Sequence, residues 1–123
     1  MSFGPHLMMD LTGCPTEVLQ DLQLHFNYLN NTPDLIGMTR ITQPHVFPYS
    51  GLVPEDKGIT GHVIIAESHL TIHSFEEKGY VFLDVFSCKE FDIEKTIDII
   101  VKTFKPASYT HWVIQRGTNF PRS

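Results

Sequence analysis

Residues 62–87, HVIIAESHLTIHSFEEKGYVFLDVFS, decide the fold because they predict three strands in succession. Strands are expected over 62–66, 70–75 and 80–87, where β-branched and aromatic residues are concentrated. The polar run EEKG at 76–79 separates the second strand from the third. This part of the chain therefore predicts the centre of a β-sheet.

Two helices are expected on either side of these strands. The first is predicted over 16–30, where apolar residues recur at spacings of three and four, and the run 30–33 is expected to end it. The apolar residues are Val18, Leu19, Leu22, Phe26 and Leu29. The second helix is predicted over 92–104, with Asp92 as its N-cap. Its apolar face consists of Ile93, Ile97, Ile100, Val101 and Phe104.

Strands are also predicted over 6–11, 36–47 and 109–115, and a long exposed loop over 48–61. The element order is β-α-β-β followed by β-β-α-β, within a single domain, 1–123. This order predicts an α+β two-layer sandwich, with an antiparallel sheet covered on one face by two helices. The other face of such a sheet is uncovered, so we expect a partner chain or a functional site there.

Composition excludes several classes of protein. The 123 residues carry a formal net charge of −5, and lysine and arginine are scattered singly, which argues against nucleic-acid binding. No apolar run is long enough to span a membrane, and no secretory signal is visible. With two cysteines, Cys14 and Cys88, we expect reduced thiols in a cytoplasmic protein. Cys14 follows a glycine at a predicted turn and is interpreted as structural.

Side chains capable of chemistry are concentrated in the middle of the chain. They are Glu67, Ser68, His69, His73, Asp84 and Cys88. Taken singly, each is interpreted most simply as a hydrogen-bonding or packing residue. Two arrangements remain open: a metal site formed by His69, His73 and Cys88, or a hydrolase nucleophile set formed by Cys88, a histidine and Asp84.

A longer pattern is more specific than any of these residues alone. Residues 61–73, GHVIIAESHLTIH, resemble the processing site of prokaryotic S-adenosylmethionine decarboxylases, which are pyruvoyl-dependent, self-cleaving proenzymes. Residues 5–14 are similar to that family's first strand, and 81–88 to the strand that carries its catalytic cysteine. Residues 104–106 resemble the end of its second helix. The resemblance covers nearly the whole chain, in order.

The resemblance implies a cofactor made from the chain itself. Self-cleavage between Glu67 and Ser68 gives a β chain, 1–67, and an α chain, 68–123. Ser68 becomes a pyruvoyl group, which binds the substrate amine as a Schiff base and withdraws electrons during decarboxylation. No metal is implied.

Three further residues match roles in the family. His73 matches the processing histidine, Thr60 stands where the family has a processing serine, and Cys88 matches the proton donor. Because Ser68 and His73 are five residues apart, a regular strand would place them on opposite faces. We therefore expect a kink or bulge near 67–69.

The resemblance also implies the substrate. Phe47 matches one of two aromatic residues around an adenine, Phe75 stands at the position of the other, and Glu77 matches a carboxylate that binds the ribose. These residues favour S-adenosylmethionine, decarboxylated for polyamine and spermidine biosynthesis. The long loop leaves arginine or ornithine as alternative substrates of the same apparatus. An uncleaved, non-catalytic binding or regulatory homologue is the alternative of another class. For the enzyme, a dimer of cleaved protomers is expected.

Overall fold

Six strands and three α-helices are found in residues 2–121, the part of the chain that this computed structural model describes. In chain order they are β1 (Gly4–Thr12), α1 (Thr16–Leu19), α2 (Leu22–Leu35), β2 (His45–Tyr49), β3 (Gly58–Ile65), β4 (Ser68–Phe75), β5 (Tyr80–Phe86), α3 (Ile93–Phe104) and β6 (Ser108–Arg116). The strands form one sheet in the order β2-β3-β4-β5-β1-β6, and all neighbours are antiparallel. The first strand is thereby inserted between the last two.

The core lies between one face of the sheet and the helices α2 and α3. Successive side chains of a strand leave opposite faces, so alternate residues of each strand point toward the helices. The fully buried strand residues are Leu7, Leu11, Val63, Ile65, Leu70, Ile72, Val81 and Val85. From α3, the buried Phe104 ring packs edge-on against His25 and Tyr28 of α2, with centroid distances of 5.4 and 5.2 Å. The predicted α+β two-layer sandwich is confirmed.

The second face of the sheet, which we call the open face, exposes large apolar side chains on strands from β2 to β6. Its exposed apolar residues are Phe47, Tyr49, Ile64, Phe82, Trp112 and Ile114. Large apolar side chains exposed on one face favour an interaction surface there. The expectation that one sheet face lacks a helical layer therefore agrees with the described residues.

The predicted helix 16–30 is wrong in its bounds, because two helices replace it. The first, α1, ends at Leu19, and α2 starts after Asp21, whose carboxylate accepts a hydrogen bond from the Leu24 N–H at 3.0 Å. The break changes the helical phase, so Leu22 is exposed and does not face the core. None of the described helices is long and apolar enough to be a membrane span.

The end of α2 also differs from the prediction, since the helix continues through the run 30–33. Pro33 lies in the last turn of α2. The last carbonyl groups of the helix accept hydrogen bonds from the compact turn that follows it. Met38 donates its N–H to the Pro33 carbonyl at 2.7 Å, and Gly37 donates to Asp34 at 3.2 Å. Gly37 adopts a φ of 81°, which a residue without Cβ reaches at no steric cost.

This turn also explains why the predicted strand 36–47 is wrong. The chain becomes a strand only at β2, which reaches Tyr49 inside the predicted loop 48–61. That loop is shorter than expected because a 3₁₀ turn, Pro54–Asp56, leads directly into β3. The helix predicted over 92–104 is confirmed as α3, and its N-cap carboxylate accepts from the N–H three residues later.

Candidate active site

Ser68 opens β4 directly after a two-residue turn, Ala66-Glu67, that joins it to β3. The turn is tight because Ile65 pairs with Ser68 across the ladder. Glu67 has a φ of 58°, in the left-handed region that few residues with a side chain adopt. The peptide between Glu67 and Ser68 therefore lies beside a strained point of the backbone.

The Ser68 hydroxyl is held in a small hydrogen-bonded group. It accepts a hydrogen bond from the Cys88 N–H at 2.7 Å and donates to the Ala66 carbonyl at 3.4 Å. The Cys88 thiol donates to the same carbonyl at 3.3 Å. We call Ala66, Glu67, Ser68 and Cys88 the serine cluster. It brings together the predicted cleavage site and the predicted proton donor, with Ser68 only 5% exposed.

A second group of predicted residues lies at the other end of β4. Thr60 of β3 is directly across from His73 of β4, and Thr60 Oγ1 is 3.1 Å from His73 Nδ1. With Phe75, which ends β4, they line a cavity of about 360 Å³. We call Thr60, His73 and Phe75 the histidine cluster. The cavity is completed by Tyr49, Gly51, Leu52, Val53, Asp56 and Ser74.

The other two predicted substrate-binding residues border the histidine cluster. Phe47 pairs with Thr60 across β2 and β3, so both side chains leave the open face. Glu77 follows β4, and its carboxylate lies 3.7 Å from Lys57 Nζ in an exposed ion pair. Because an exposed pair contributes little to stability, the Glu77 carboxylate is available to a ligand.

The fold keeps these two clusters apart. The β3–β4 ladder is continuous from Ile65–Ser68 to Thr60–His73, so the kink or bulge expected near 67–69 is wrong. The distortion is confined to the turn before Ser68, because each following residue finds its partner in the ladder. Ser68 faces the helices, and His73 faces the open face. The two residues are five positions apart along the strand, so their Cα atoms lie roughly 17 Å apart.

The metal arrangement considered from the sequence is not the one that the fold assembles. Within the described part of the chain, three ligand-type side chains approach one another, and they are His6, His69 and Asp84. Arg116, which can only donate, lies 3.3 Å from His6 Nδ1, so the hydrogen of this ring is on Nε2. That nitrogen points at an Asp84 oxygen 3.2 Å away. Because both histidines face the Asp84 carboxylate and Arg116 lies against His6, we interpret the group as a charge cluster.

This charge cluster also engages Asp84, the carboxylate considered for a hydrolase. The Thr71 hydroxyl donates to one Asp84 oxygen at 2.7 Å, and His69 Nε2 lies 3.9 Å from the same oxygen. Burial lowers the pKa of His69, and the nearby Asp84 charge acts in the opposite direction. Asp84 therefore belongs to the open face, whereas Cys88 belongs to the serine cluster, and the hydrolase set gains no support.

Residues 5–117 match the family model described as S-adenosylmethionine decarboxylase. The chain belongs to the S-adenosylmethionine decarboxylase family. The S-adenosylmethionine decarboxylase proenzyme of Archaeoglobus fulgidus is 33% identical over 118 residues, which cover 95% of this chain and 100% of the relative. The protein of the same name from Pyrococcus furiosus is 35% identical over 112 residues, covering 89% and 75% of the two chains.

A solved structure agrees with this S-adenosylmethionine decarboxylase fold. The adenosylmethionine decarboxylase from Aquifex aeolicus superimposes with a TM-score of 0.81 at 24% identity, over 99% of this chain and 97% of that one. At this identity the likeness shows the fold alone. Together, the comparisons confirm the family and the enzyme class, a decarboxylase, that the sequence predicted.

Six cavity residues of this family member were not among the predicted site residues, and two of them, Tyr49 and Asp56, bring an aromatic ring and a carboxylate. Tyr49 follows Phe47 by two residues, so the alternation of β2 could have placed both on one face. Asp56 lies in the 3₁₀ turn, where no periodic pattern indicates an orientation, and its carboxylate accepts from Lys78 Nζ. Tyr49 and Asp56 add an aromatic ring and a negative charge beside the histidine cluster.

Iodoacetamide at pH 8 should label Cys88 and spare Cys14 in the native protein. Cys14 is buried, and desolvation raises its pKa to about 11. Because the thiolate is the reactive form, roughly one Cys14 in 1,000 is reactive at pH 8. Peptide mass spectrometry gives the sites, and Cys88→Ser is the control that should lose labelling until it is unfolded. Preferential labelling of Cys14 in the native state would contradict this assignment.

Proposed function

We propose that this chain is a proenzyme that cleaves itself between Glu67 and Ser68 and then decarboxylates S-adenosylmethionine. The observation that carries the proposal is the position of Ser68, whose buried hydroxyl follows the strained residue Glu67 and contacts the Cys88 backbone. Membership of the family supports it, as do relatives that are named proenzymes.

Self-cleavage requires a hydroxyl beside the peptide bond that breaks. In the proposed reaction, Ser68 Oγ attacks the Glu67 carbonyl carbon, and loss of the C–N bond converts the peptide into an ester. Removal of the Ser68 Cα proton then expels the Glu67 carboxylate and leaves a dehydroalanine. This group takes up water and releases ammonia, which leaves a pyruvoyl group. The left-handed conformation of Glu67 favours the reaction, because backbone strain in the turn raises the free energy of the intact peptide relative to the cut chain.

These steps move protons and therefore need an oriented acid and base. His73 is proposed as that base, and Thr60 as the hydroxyl that orients it, because their side chains are 3.1 Å apart. Thr60 differs from the serine of the family by one methyl group and keeps the oxygen that this contact uses.

The serine cluster suits the group that cleavage would produce. When present, the pyruvoyl group supplies an electron sink for the loss of carbon dioxide. Cys88 is proposed as the acid that then protonates the substrate carbon, since its backbone N–H contacts Ser68 and its thiol lies at the same turn. The thiol is partly accessible, so a substrate can reach it.

The cavity beside the histidine cluster is the proposed substrate site. Phe47 and Phe75 offer apolar rings to an adenine, and aromatic faces stack well on such a base. Glu77 offers acceptors to two ribose hydroxyls, and its only described ionic contact is the exposed one with Lys57. The Asp56 carboxylate, which is paired with Lys78, also lines the cavity and offers acceptor oxygens to a substrate.

Two copies of the chain are needed to combine these functions in one site. Within one protomer, Ser68 and His73 lie at opposite ends and on opposite faces of β4. We propose a dimer in which the open faces meet and the Ala66-Glu67 turn at the end of the β3–β4 hairpin in one protomer reaches the histidine cluster of its partner. The exposed apolar side chains on the open face supply a suitable interface, and a two-fold axis would generate two identical sites. Cys14 and Cys88 are not joined in a disulfide, which suits the reducing cytoplasm, where the product would serve polyamine synthesis.

Self-cleavage of the wild-type chain should give two fragments, 1–67 and 68–123, of which the second starts with a group that reacts with phenylhydrazine. Ser68→Ala removes the attacking hydroxyl and should remain one band on denaturing electrophoresis. Intact mass measures both results. A wild-type chain that stays uncleaved after folding would instead support the non-catalytic binding homologue.

Carbon dioxide release should be fastest from S-adenosylmethionine when carboxyl-labelled S-adenosylmethionine, arginine and ornithine are compared. Cys88→Ala is the matched variant: it should cleave normally but lose about 100-fold or more in turnover, because the proton donor is absent. Label released only from arginine or ornithine would overturn the proposed substrate. Unchanged turnover in Cys88→Ala would remove Cys88 from the reaction.

Complementation tests the two-protomer site. Neither Ser68→Ala nor His73→Ala should cleave alone, because each lacks one half of the site. When the two are co-expressed with different tags, the His73→Ala chain should be cleaved, since its Ser68 meets His73 of the other protomer. The Ser68→Ala, His73→Ala double variant is the control partner and should not rescue. Equal absence of cleavage in both mixtures would contradict the shared site.

A further inference from the structure

A buried polar pair lies directly behind the histidine cluster, on the helix side of the sheet. His25 of α2 is fully buried, Ser74 of β4 is 3% exposed, and His25 Nε2 lies 3.0 Å from Ser74 Oγ. Ser74 is the neighbour of His73 in β4, but its side chain leaves the opposite face. We propose that His25 and Ser74 are positioning residues for the Thr60–His73 pair, an inference that rests on the proposed self-cleavage.

The direction of the hydrogen bonds in this pair is fixed by its neighbours. His25 Nδ1 lies 2.8 Å from the Asp21 carbonyl oxygen, which can only accept, so Nδ1 carries the hydrogen. Nε2 is then an acceptor, and the Ser74 hydroxyl donates to it. Burial lowers the pKa of His25 and outweighs the contacts with Asp21, which raise it. The lowered pKa keeps the ring neutral. The start of α2 is thereby linked to β4 by two directed hydrogen bonds.

Ser74 extends this link into β3. Its oxygen accepts the Ile59 N–H at 3.2 Å, and the Ile59 carbonyl oxygen, 3.3 Å away, is a second acceptor for the Ser74 hydroxyl. The β3–β4 register runs up to the pair Thr60–His73, and this side-chain contact lies at the next step along the two strands. The strands are drawn close here, since a Cβ added to Gly58 would lie 1.7 Å from the Ser74 carbonyl oxygen.

The contacts of Ser74 therefore act one residue away from both members of the Thr60–His73 pair. They hold β3 to β4 where Thr60 Oγ1 and His73 Nδ1 must stay 3.1 Å apart on the other face. Removing the Ser74 hydroxyl leaves the Ile59 N–H and His25 Nε2 without this partner in a buried place, where unsatisfied groups are costly. The two strands then readjust, and the distance between Thr60 and His73 changes with them.

Nitrogen NMR of the uncleavable Ser68→Ala chain tests the positioning without any reaction. The ¹⁵N shift of His73 Nδ1 reports its contact with Thr60, and the second substitution Ser74→Ala should move it. Ser74→Thr keeps a hydroxyl and should restore the shift. Thr96→Val is the matched control, because it removes another buried hydroxyl, which donates to the Asp92 carbonyl at the start of α3. It should leave the shift unchanged.

Self-cleavage kinetics give the second readout. In chains made by pulsed cell-free synthesis, Ser74→Ala and His25→Gln should each slow cleavage by about 10- to 100-fold, as expected for a displaced catalytic group. Ser74→Thr and Thr96→Val should stay within about threefold of the wild type, a margin well below that displacement effect. Circular dichroism selects the folded variants, and His25→Gln serves if Ser74→Ala does not fold.

The outcomes separate this inference from the proposed function. If the wild type cleaves while Ser74→Ala and His25→Gln cleave at its rate with an unmoved His73 shift, the positioning role is overturned. If the wild type does not cleave, the proposed function fails, and the NMR comparison still decides whether Ser74 controls the Thr60–His73 contact. Equal slowing by Ser74→Ala and Thr96→Val would mean that the loss is one of general stability, and would also overturn it.

Discussion

The continuous pairing of β3 with β4 is the constraint on which the rest of the molecule depends. It fixes a tight turn at one end, where Ser68 begins its strand, and the Thr60–His73 pair at the other. Because the ladder contains no extra residue, the two ends cannot be brought together by local bending. A small chain thus presents two incomplete groups of reactive side chains, and the geometry of one hairpin determines how far apart they lie.

The two faces of this hairpin have different tasks. On the helix side, the polar His25 and Ser74 are linked by a hydrogen bond amid the apolar core. On the open face, polar groups such as Asp84 and large apolar rings such as Phe82 stand side by side without a covering helix. This asymmetry is the physical reason to expect that a second layer of protein completes the sheet.

Sequence reasoning succeeded where a pattern is local and failed where a long-range contact decides. The helix 92–104 was predictable from its apolar period and its N-cap, and the resemblance over 61–73 was specific enough to give the family. The end of α2 just before Gly37 was not predictable, since a glycine marks many kinds of turn. For the site, residue types were predictable but distances were not. The five-residue spacing already placed Ser68 and His73 on opposite faces of the strand. The bulge was expected only because both residues were assumed to act in the site of a single protomer.

The insertion of β1 between β5 and β6 has a consequence for the proposed self-cleavage. A cut between Glu67 and Ser68 assigns β1, β2 and β3 to one fragment and β4, β5 and β6 to the other, yet β1 remains hydrogen-bonded on both sides to the second fragment. The products of this cut would be interleaved, so they would stay together without a covalent bond. The uncut chain folds in a first-order process. Once cut and unfolded, the two fragments would have to associate in a second-order process before they could fold again. After the proposed cleavage, the folded state would be retained, but the protein could no longer refold by the unimolecular route through which it formed.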